Sequence, residues 1–389
     1  MKASLFHSLL VSIIGADTSH GKAAVELAKV EESKENGATI LVDGTKATRS
    51  GAAFANSKLM HATNQSDSYR MLIHPGPCII PSVLAAAELG SSNGKDVLAA
   101  MAVAYEIESR LAGDFIPSVQ ARGFRSSPIF GTLGAAVATG KLLGLNEDQM
   151  VTAVALACTF TGGTNEGPRS GGREMMFHEP QATRNGLMAA LLAREDVKGS
   201  ETSLEGDAGF YNAFVGNNKG ELSYVFNGPN NVSLDSVIED IGERWELMHV
   251  VPKLYPTAGY NCPVIELMTE IRSAHDLSVQ DIEKITNLQS IVKEVVLQTE
   301  ENQESIVQNM DILDFPGARG LGDVTGNPGS EFIRSEINDG KSKQLAAVYK
   351  RGKLLYLFDA YRKKFEITLL LFCSQAGNQE APVLKEKLE

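Results

Sequence analysis

The spacing of apolar positions gives the chain two textures. From Ala52 to about Ala213 it is rich in Ala, Leu and Gly, with apolar residues recurring at helical intervals. The pattern predicts a helix from Pro81 (PSVLAAAEL), a long one over Lys95–Leu111 (KDVLAAMAVAYEIESRL) and one dense in small residues over Gly131–Leu145. A further helix capped by Asn146 runs through Val151–Thr159, and another covers Asn185–Arg194. Small residues on helix faces let axes approach closely, so these helices are expected to form a bundle. The opening run, Lys2–Ala16, is apolar but diluted by His7 and three serines, and no small-x-small cleavage site follows. It reads as a buried first helix rather than a secretion signal.

The polar, glycine-rich stretch 216–231 (GNNKGELSYVFNGPNN) marks a linker. Beyond it, β-branched runs at Trp245–Val251 and Ile285–Leu297 predict strands, with a helix at Pro263–His275 between them. Gly317–Gly329 reads as an irregular loop and lacks the Lys-Ser/Thr ending of a phosphate loop. Ala346–Phe372 closes the pattern with a helix or strand pair, and Phe365–Cys373 suits a buried strand. The fold class is mainly α with an α+β part, divided into a helical domain over 1–230 and a smaller α+β domain over 231–389.

Composition narrows the function. The chain has 389 residues, 43% hydrophobic and 22% charged, with a formal net charge of −12. That balance argues against a general nucleic-acid binder and allows a local basic site in an acidic protein. No stretch reaches the roughly 20 apolar residues that span a bilayer. The four cysteines (Cys78, Cys158, Cys262, Cys373) are too sparse for a disulfide framework and show no zinc spacing. They suit a reducing compartment, the cytoplasm, with a mitochondrial location as the alternative. HExxH and paired HxH motifs are absent from the sequence, which argues against a metal site.

Candidate chemistry is concentrated in a few places. His74 lies in a His-Pro-Gly turn ahead of a helix, where the backbone cannot be helical and a side chain is held for use. Lys253 is flanked by prolines and tyrosines (VPKLYPTAGYNCP), a constrained setting for carboxylate binding or acid/base work. Arg122, Arg125 and Arg169 sit in glycine-rich loops and can supply positive charge to an anionic ligand. His61 marks a helix end, and His178 follows a Gly/Arg/Met loop.

Seven segments, in order, resemble the MmgE/PrpD family. They are 52–68 (AAFANSKLMHATNQSDS), 74–88 (HPGPCIIPSVLAAAE), 103–111 (VAYEIESRL), 123–145 (GFRSSPIFGTLGAAVATGKLLGL), 182–193 (ATRNGLMAALLA), 204–210 (LEGDAGF) and 253–266 (KLYPTAGYNCPVIE). The family includes 2-methylcitrate dehydratase, cis-aconitate decarboxylase and iminodisuccinate epimerase. The resemblance implies a large all-helical domain, a smaller α+β lid, a cofactor-free site between them and a homodimer. It implies catalytic roles for His74, Lys253 and Asp67. Substrate contacts would come from Arg125, as a carboxylate clamp, and from Ser68, Asn64 and Arg173.

The sequence departs from the family at the site itself. The leading aspartate of the acidic pair is Asn64 here, and the threonine after the second acid is Ser68. The family's second histidine falls on Arg125, its helix-entry lysine on Met175 and its last histidine on Ala258. Beyond about residue 300 the family's pattern is not found. The resemblance therefore implies a cofactor-independent lyase, a dehydratase or decarboxylase of a citrate-like polycarboxylate. The departures leave two alternatives: an impaired member that serves as a binding or structural homodimer, and an epimerase of an amino-dicarboxylate.

Overall fold

Thr18 and Thr48 each turn a side-chain oxygen back onto the third residue of a following helix, and Asn93 and Asn146 do the same within capping boxes. These caps satisfy the first free N–H groups and set where the helices begin. The computed structural model describes residues 1–275, apart from 89, 91, 196 and 223–231, together with two short strands. The helices are α1 (Lys2–Gly15), α2 (Ser19–Glu31), α3 (Arg49–His61), α4 (Pro75–Glu88), α5 (Gly94–Ala112) and α6 (Ile116–Ala121). They continue as α7 (Ser126–Leu143), α8 (Glu147–Phe160), α9 (Glu166–Ser170), α10 (His178–Ala193), α11 (Phe210–Phe214) and α12 (Cys262–His275). The only larger strand pairing among the described residues is an antiparallel hairpin of β1 (Ser33–Thr39) and β2 (Lys46–Ala47). β3 (Val295–Val296) pairs antiparallel with β4 (Leu370–Leu371). The fold is mainly α.

The chain falls into two units, Met1–Glu266 and Leu267–Glu389. In the first, α7 is buried at every position from Ser126 to Gly140 and forms the axis around which α4, α5, α8 and α10 pack. A helix apolar all round belongs in a core. Its crossing with α10 depends on Gly186, where a Cβ would lie 2.4 Å from the Thr132 carbonyl oxygen and 2.7 Å from the Ala136 nitrogen. Only the bare glycine lets the two backbones meet so closely.

Helix α4 starts earlier than the pattern from Pro81 predicts. Pro75 occupies its first position, where a missing N–H costs nothing. Pro81 sits inside the helix and leaves the Pro77 carbonyl without its usual donor. Thr183 of α10 covers the gap: its hydroxyl lies 2.9 Å from the Pro77 carbonyl oxygen and 3.0 Å from that of Cys78. The irregularity that opens α4 thereby fastens it to α10.

Two expectations are corrected. α1 is half-buried: Ser8, Val11, Ser12 and Gly15 face the core while Phe6, Leu10, Ile13 and Ile14 are exposed. Trp245–Val251 is not a strand but a 3-10 turn at Glu246–His249 ending in one bridge, Val251 to Ser68. Side chains of α5 hold the Leu247 N–H and the carbonyls of the stretch just before this segment. Glu106 accepts from the Leu247 N–H at 2.9 Å. Arg110 donates to the carbonyls of Val237 (3.1 Å), Glu239 (2.7 Å), Asp240 (3.2 Å) and Arg244 (2.5 Å). The loop expected at 317–329 and most of 285–297 and 346–372 lie outside the described residues.

Candidate active site

Three helices of the bundle begin at one place. His74 immediately precedes α4, Arg125 is the residue before α7, and Glu179 is the second residue of α10. Each helix N-terminus carries partial positive charge, although in α4 Pro75 and Pro77 have no N–H and that of Gly76 is taken by Asp67. Their packing against one another collects those ends, and α3 adds Lys58 and His61 from its last turn.

His74 is 9% exposed. Its Nδ1 lies 2.9 Å from the Asp67 carbonyl oxygen, which can only accept, so Nδ1 carries the proton and Nε2 the lone pair. Among the described residues Nε2 has no hydrogen-bond partner. Its backbone N–H donates to Ser127 Oγ at 3.1 Å, which fixes the turn against α7. Burial, together with the charges of Lys253 and Arg125, holds the imidazole pKa well below its usual value, so it is neutral near pH 7.

Asp67 does not present its carboxylate to the same space. Oδ1 accepts the Gly76 N–H at 2.8 Å and Oδ2 accepts the Tyr105 hydroxyl at 2.7 Å. Burial raises its pKa in spite of those bonds. Asp67 thus caps α4 and orients His74 through its carbonyl. Ser68 exchanges two backbone hydrogen bonds with Val251, both 2.8 Å, and among the described residues its buried hydroxyl has no hydrogen-bond partner.

That exchange sets Lys253 two residues further on. Lys253 is 6% exposed, and among the described residues it has no hydrogen-bond or ion-pair partner. Burial pulls its pKa down to about 8, against the opposing influence of Asp67 and Cys262. It still carries a proton at neutral pH.

Arg125 is occupied. Its Nη1 pairs with Glu179 Oε1, and its Nη2 lies 3.5 Å from His61 Nε2. Glu179 is fully buried, with its second oxygen 3.5 Å from His61 Nε2. Burial is the largest influence on Glu179 and pushes its pKa up, but Arg125, His74 and hydrogen bonds from its own backbone and Ser127 together turn the net shift downward, so the carboxylate is ionised. His61 donates or accepts at Nδ1 with Ser66 Oγ (2.9 Å), and its ring lies 5.1 Å from that of His74. Burial and the charges of Arg125, Lys58 and Lys253 hold it neutral too. Lys58 is fully buried, donates to the Met176 carbonyl at 2.9 Å and is drawn down to about 8 by burial.

His74, Asp67, Ser68, Arg125 and Lys253 therefore lie in one buried cluster. Asn64 stands at its edge in a left-handed turn (φ 58°), a conformation asparagine tolerates. Arg173 is exposed and acts electrostatically on His20 instead of joining Arg125. Ala258 precedes a 3-10 turn at Gly259–Asn261, and Met175 lies in another at Glu174–Phe177. Sequence reasoning did not single out Lys58, Glu179, Ser127 or Arg110. The available signal was a lysine inside an alanine-rich helix and a glutamate at the start of one.

Residues 1–223 match the family model described as the MmgE/PrpD N-terminal domain. Residues 260–388 match a different one, described as a putative bacterial virulence factor. The chain is 30% identical over 218 residues to the cis-aconitate decarboxylase-like protein oryM of Aspergillus oryzae, covering 54% of this chain and 43% of that protein. It is 30% identical over 224 residues to cis-aconitate decarboxylase of Aspergillus terreus (56% and 44%) and 30% over 176 residues to the human one (43% and 35%). The matched region thus spans less than half the length of these relatives.

Proposed function

The chain belongs to the MmgE/PrpD family, and from that premise we propose that it is a cofactor-independent lyase acting on a small citrate-like polycarboxylate. The observation that carries the reading is a neutral His74 within the electrostatic reach of the buried Lys253 ammonium, neither His74 Nε2 nor Lys253 having a hydrogen-bond or ion-pair partner among the described residues. A neutral imidazole accepts a proton from carbon beside a carboxylate. A buried ammonium holds that carboxylate and stabilises the negative charge that spreads onto it. In a dehydration, His74 takes the carbon-bound proton and Lys253 protonates the departing hydroxyl. In a decarboxylation, CO₂ leaves and Lys253 returns a proton to the carbanion. The relatives named cis-aconitate decarboxylase support the lyase class.

The remaining roles follow within this reading. Asp67 and Ser127 position His74, Ser68 offers a hydroxyl to the substrate, and Asn64 shapes the entrance. In this reading the protein works as a homodimer in the cytoplasm, with the mitochondrion as the alternative. Among the described residues no helix is long and apolar enough to cross a membrane. The 231–389 part is read as lid-like, with its start supplying Lys253. The second match over 260–388 leaves the lid's closing residues unassigned there.

The test is an NMR assay of the purified chain with 2-methylcitrate and with cis-aconitate, run in D₂O beside His74→Ala. An unsaturated tricarboxylate from the first, or itaconate and CO₂ from the second, supports the lyase. Deuterium exchange next to a carboxylate without net turnover favours the epimerase alternative. Neither product nor exchange from a folded chain returns the protein to a binding role, and activity surviving in His74→Ala removes His74 as the base.

A further inference from the structure

We infer that the outward face of α1 is the surface on which two copies of this chain meet, each offering the same face across a two-fold axis. Such a surface belongs to the homodimer of the reading above, on which the inference rests, and is independent of the chemistry at His74.

Helix α1 keeps its small residues inside and its large ones outside. The fully buried positions are Ser8, Val11, Ser12 and Gly15. They let the helix lie close on α3: a Cβ at Gly15 would run into the Leu59 carbonyl oxygen. Met1, Leu5 and Leu9 are partly buried against the core at the flank. Phe6, Leu10, Ile13 and Ile14 recur at the i, i+4, i+7, i+8 spacing of a single helix face, and they are 46–64% exposed. A surface helix ordinarily turns such a stripe toward its own core. A helix that packs serine and glycine inward and offers phenylalanine, leucine and isoleucine outward is shaped to lie between two bodies.

Size and charge identify the second body. The four side chains leave bare on the order of 450 Å², within the range of the largest apolar patch on a monomer, which is often functional. Apolar surface is a little over half of an ordinary interface, so a core of this size with its polar rim comes to roughly 800 Å² from each partner, the standard size. Each copy carries a net charge of −12, and two such copies repel unless they meet where charge is sparse. α1 is such a place. Lys2 and His7 are its only ionisable side chains, and the His7 ring is turned onto the Gln65 carbonyl oxygen at 2.8 Å. A membrane surface fits less well, because an interfacial helix carries a lysine- and arginine-rich polar face, and α1 has Lys2 alone. A two-fold axis lays the stripe on its twin and closes the assembly at two.

The experiment is sedimentation velocity of the full chain from about 1 to 100 μM, the range in which a dimer of this size is read. Wild type is expected at twice the mass of the 41.8 kDa chain. Leu10→Glu/Ile13→Glu and Leu10→Lys/Ile13→Lys alter exposed positions, should keep the melting temperature, and should each weaken the dimer by about a hundredfold or more. Leu10→Ser/Ile13→Ser removes apolar surface without adding charge and should weaken it by about tenfold or more. An equimolar mixture of the Glu and Lys variants should reassociate, because the two-fold axis sets opposite charges against each other. Met248→Glu, at an exposed apolar position outside α1, should leave the dimer unchanged. A wild-type dimer that survives the α1 variants overturns the inference and leaves the homodimer standing. So does an equal loss in Met248→Glu, or a mixture that stays monomeric. A folded wild type that is monomeric at the highest concentration removes the homodimer and the inference with it. A monomer that sediments with phosphatidylserine vesicles through α1 gives the face to a membrane and overturns the inference as well.

Discussion

Ser68 and Val251 exchange both of their backbone hydrogen bonds at 2.8 Å, and this single bridge joins the turn that orients His74 to the segment that carries Lys253. The base and the ammonium are thus set against each other by main chain, with side chains of α5 holding the approach on the far side. Arg110 grips four carbonyls of 237–244, and Glu106 takes the Leu247 N–H.

Arg110→Met should therefore loosen Lys253 without touching it. The variant leaves the half of the clamp on Glu106 unpaired and buried, a change that typically costs about 3–5 kcal/mol. Because the loss falls on one segment, the amides of Leu247 and Val251 should lose hydrogen-exchange protection while those of α7 keep theirs. Carboxylate binding should weaken by about tenfold or more. Unchanged protection at Val251 would show that the bridge stands without the clamp.

Carboxylate binding should fall as pH rises through about 8, where Lys253 loses its proton. No titration of His74 should appear above pH 6.5, since its pKa lies well below that value. Folding stability of the unliganded protein should move the other way. An unfolded lysine keeps its proton to near 10.5 while the buried one gives it up at about 8, so the unfolded state binds more protons in that window and stability rises with pH. The difference between wild type and Lys253→Met in urea melts from pH 7 to 10 isolates this effect, because cysteines and tyrosines cancel. A flat difference would place the Lys253 pKa at its ordinary value.

Lys58→Met should stabilise the fold by about 1–3 kcal/mol, because an apolar chain of similar length removes the desolvation of a buried ammonium. The measurement is chemical denaturation at pH 7, and destabilisation by a similar amount would show that the attraction of Glu179 outweighs the desolvation.

Gly186→Ala should destabilise by about 1–3 kcal/mol, the range for overpacking. The added methyl meets backbone atoms of α7 that cannot step aside. Thermal unfolding reads the change.

Helices whose caps are local were legible in the sequence. α5 and α8 carry Asn93 with Asp96 and Asn146 with Gln149, and their predicted limits agree with the structure to within a residue or two. α4, α7 and α10 begin before the positions the pattern gives, because HPGP, RSSP and HEPQ look like turns and are in fact first turns. Those early turns carry the site. The resemblance supplied His74 and Lys253 by position, but it could not supply the partner of Arg125. Glu179 meets it only through the packing of α7 on α10, and no spacing along the chain records that. Trp245–Val251 looks like a strand for the same kind of reason: the acceptor of its Leu247 N–H and the guanidinium that holds the Arg244 carbonyl just before it sit on α5, far back in the sequence.

Lys253, which has no ion-pair partner among the described residues, also bears on how the protein will behave in the hand. A folded chain that binds an anion at Lys253 takes stability from it, by an amount set by concentration over dissociation constant. Citrate, phosphate, malonate and succinate are common purification and storage anions, and each would compete there. A melting temperature for this protein will vary with its buffer, and an apparent lack of activity in citrate would be occupancy by the buffer.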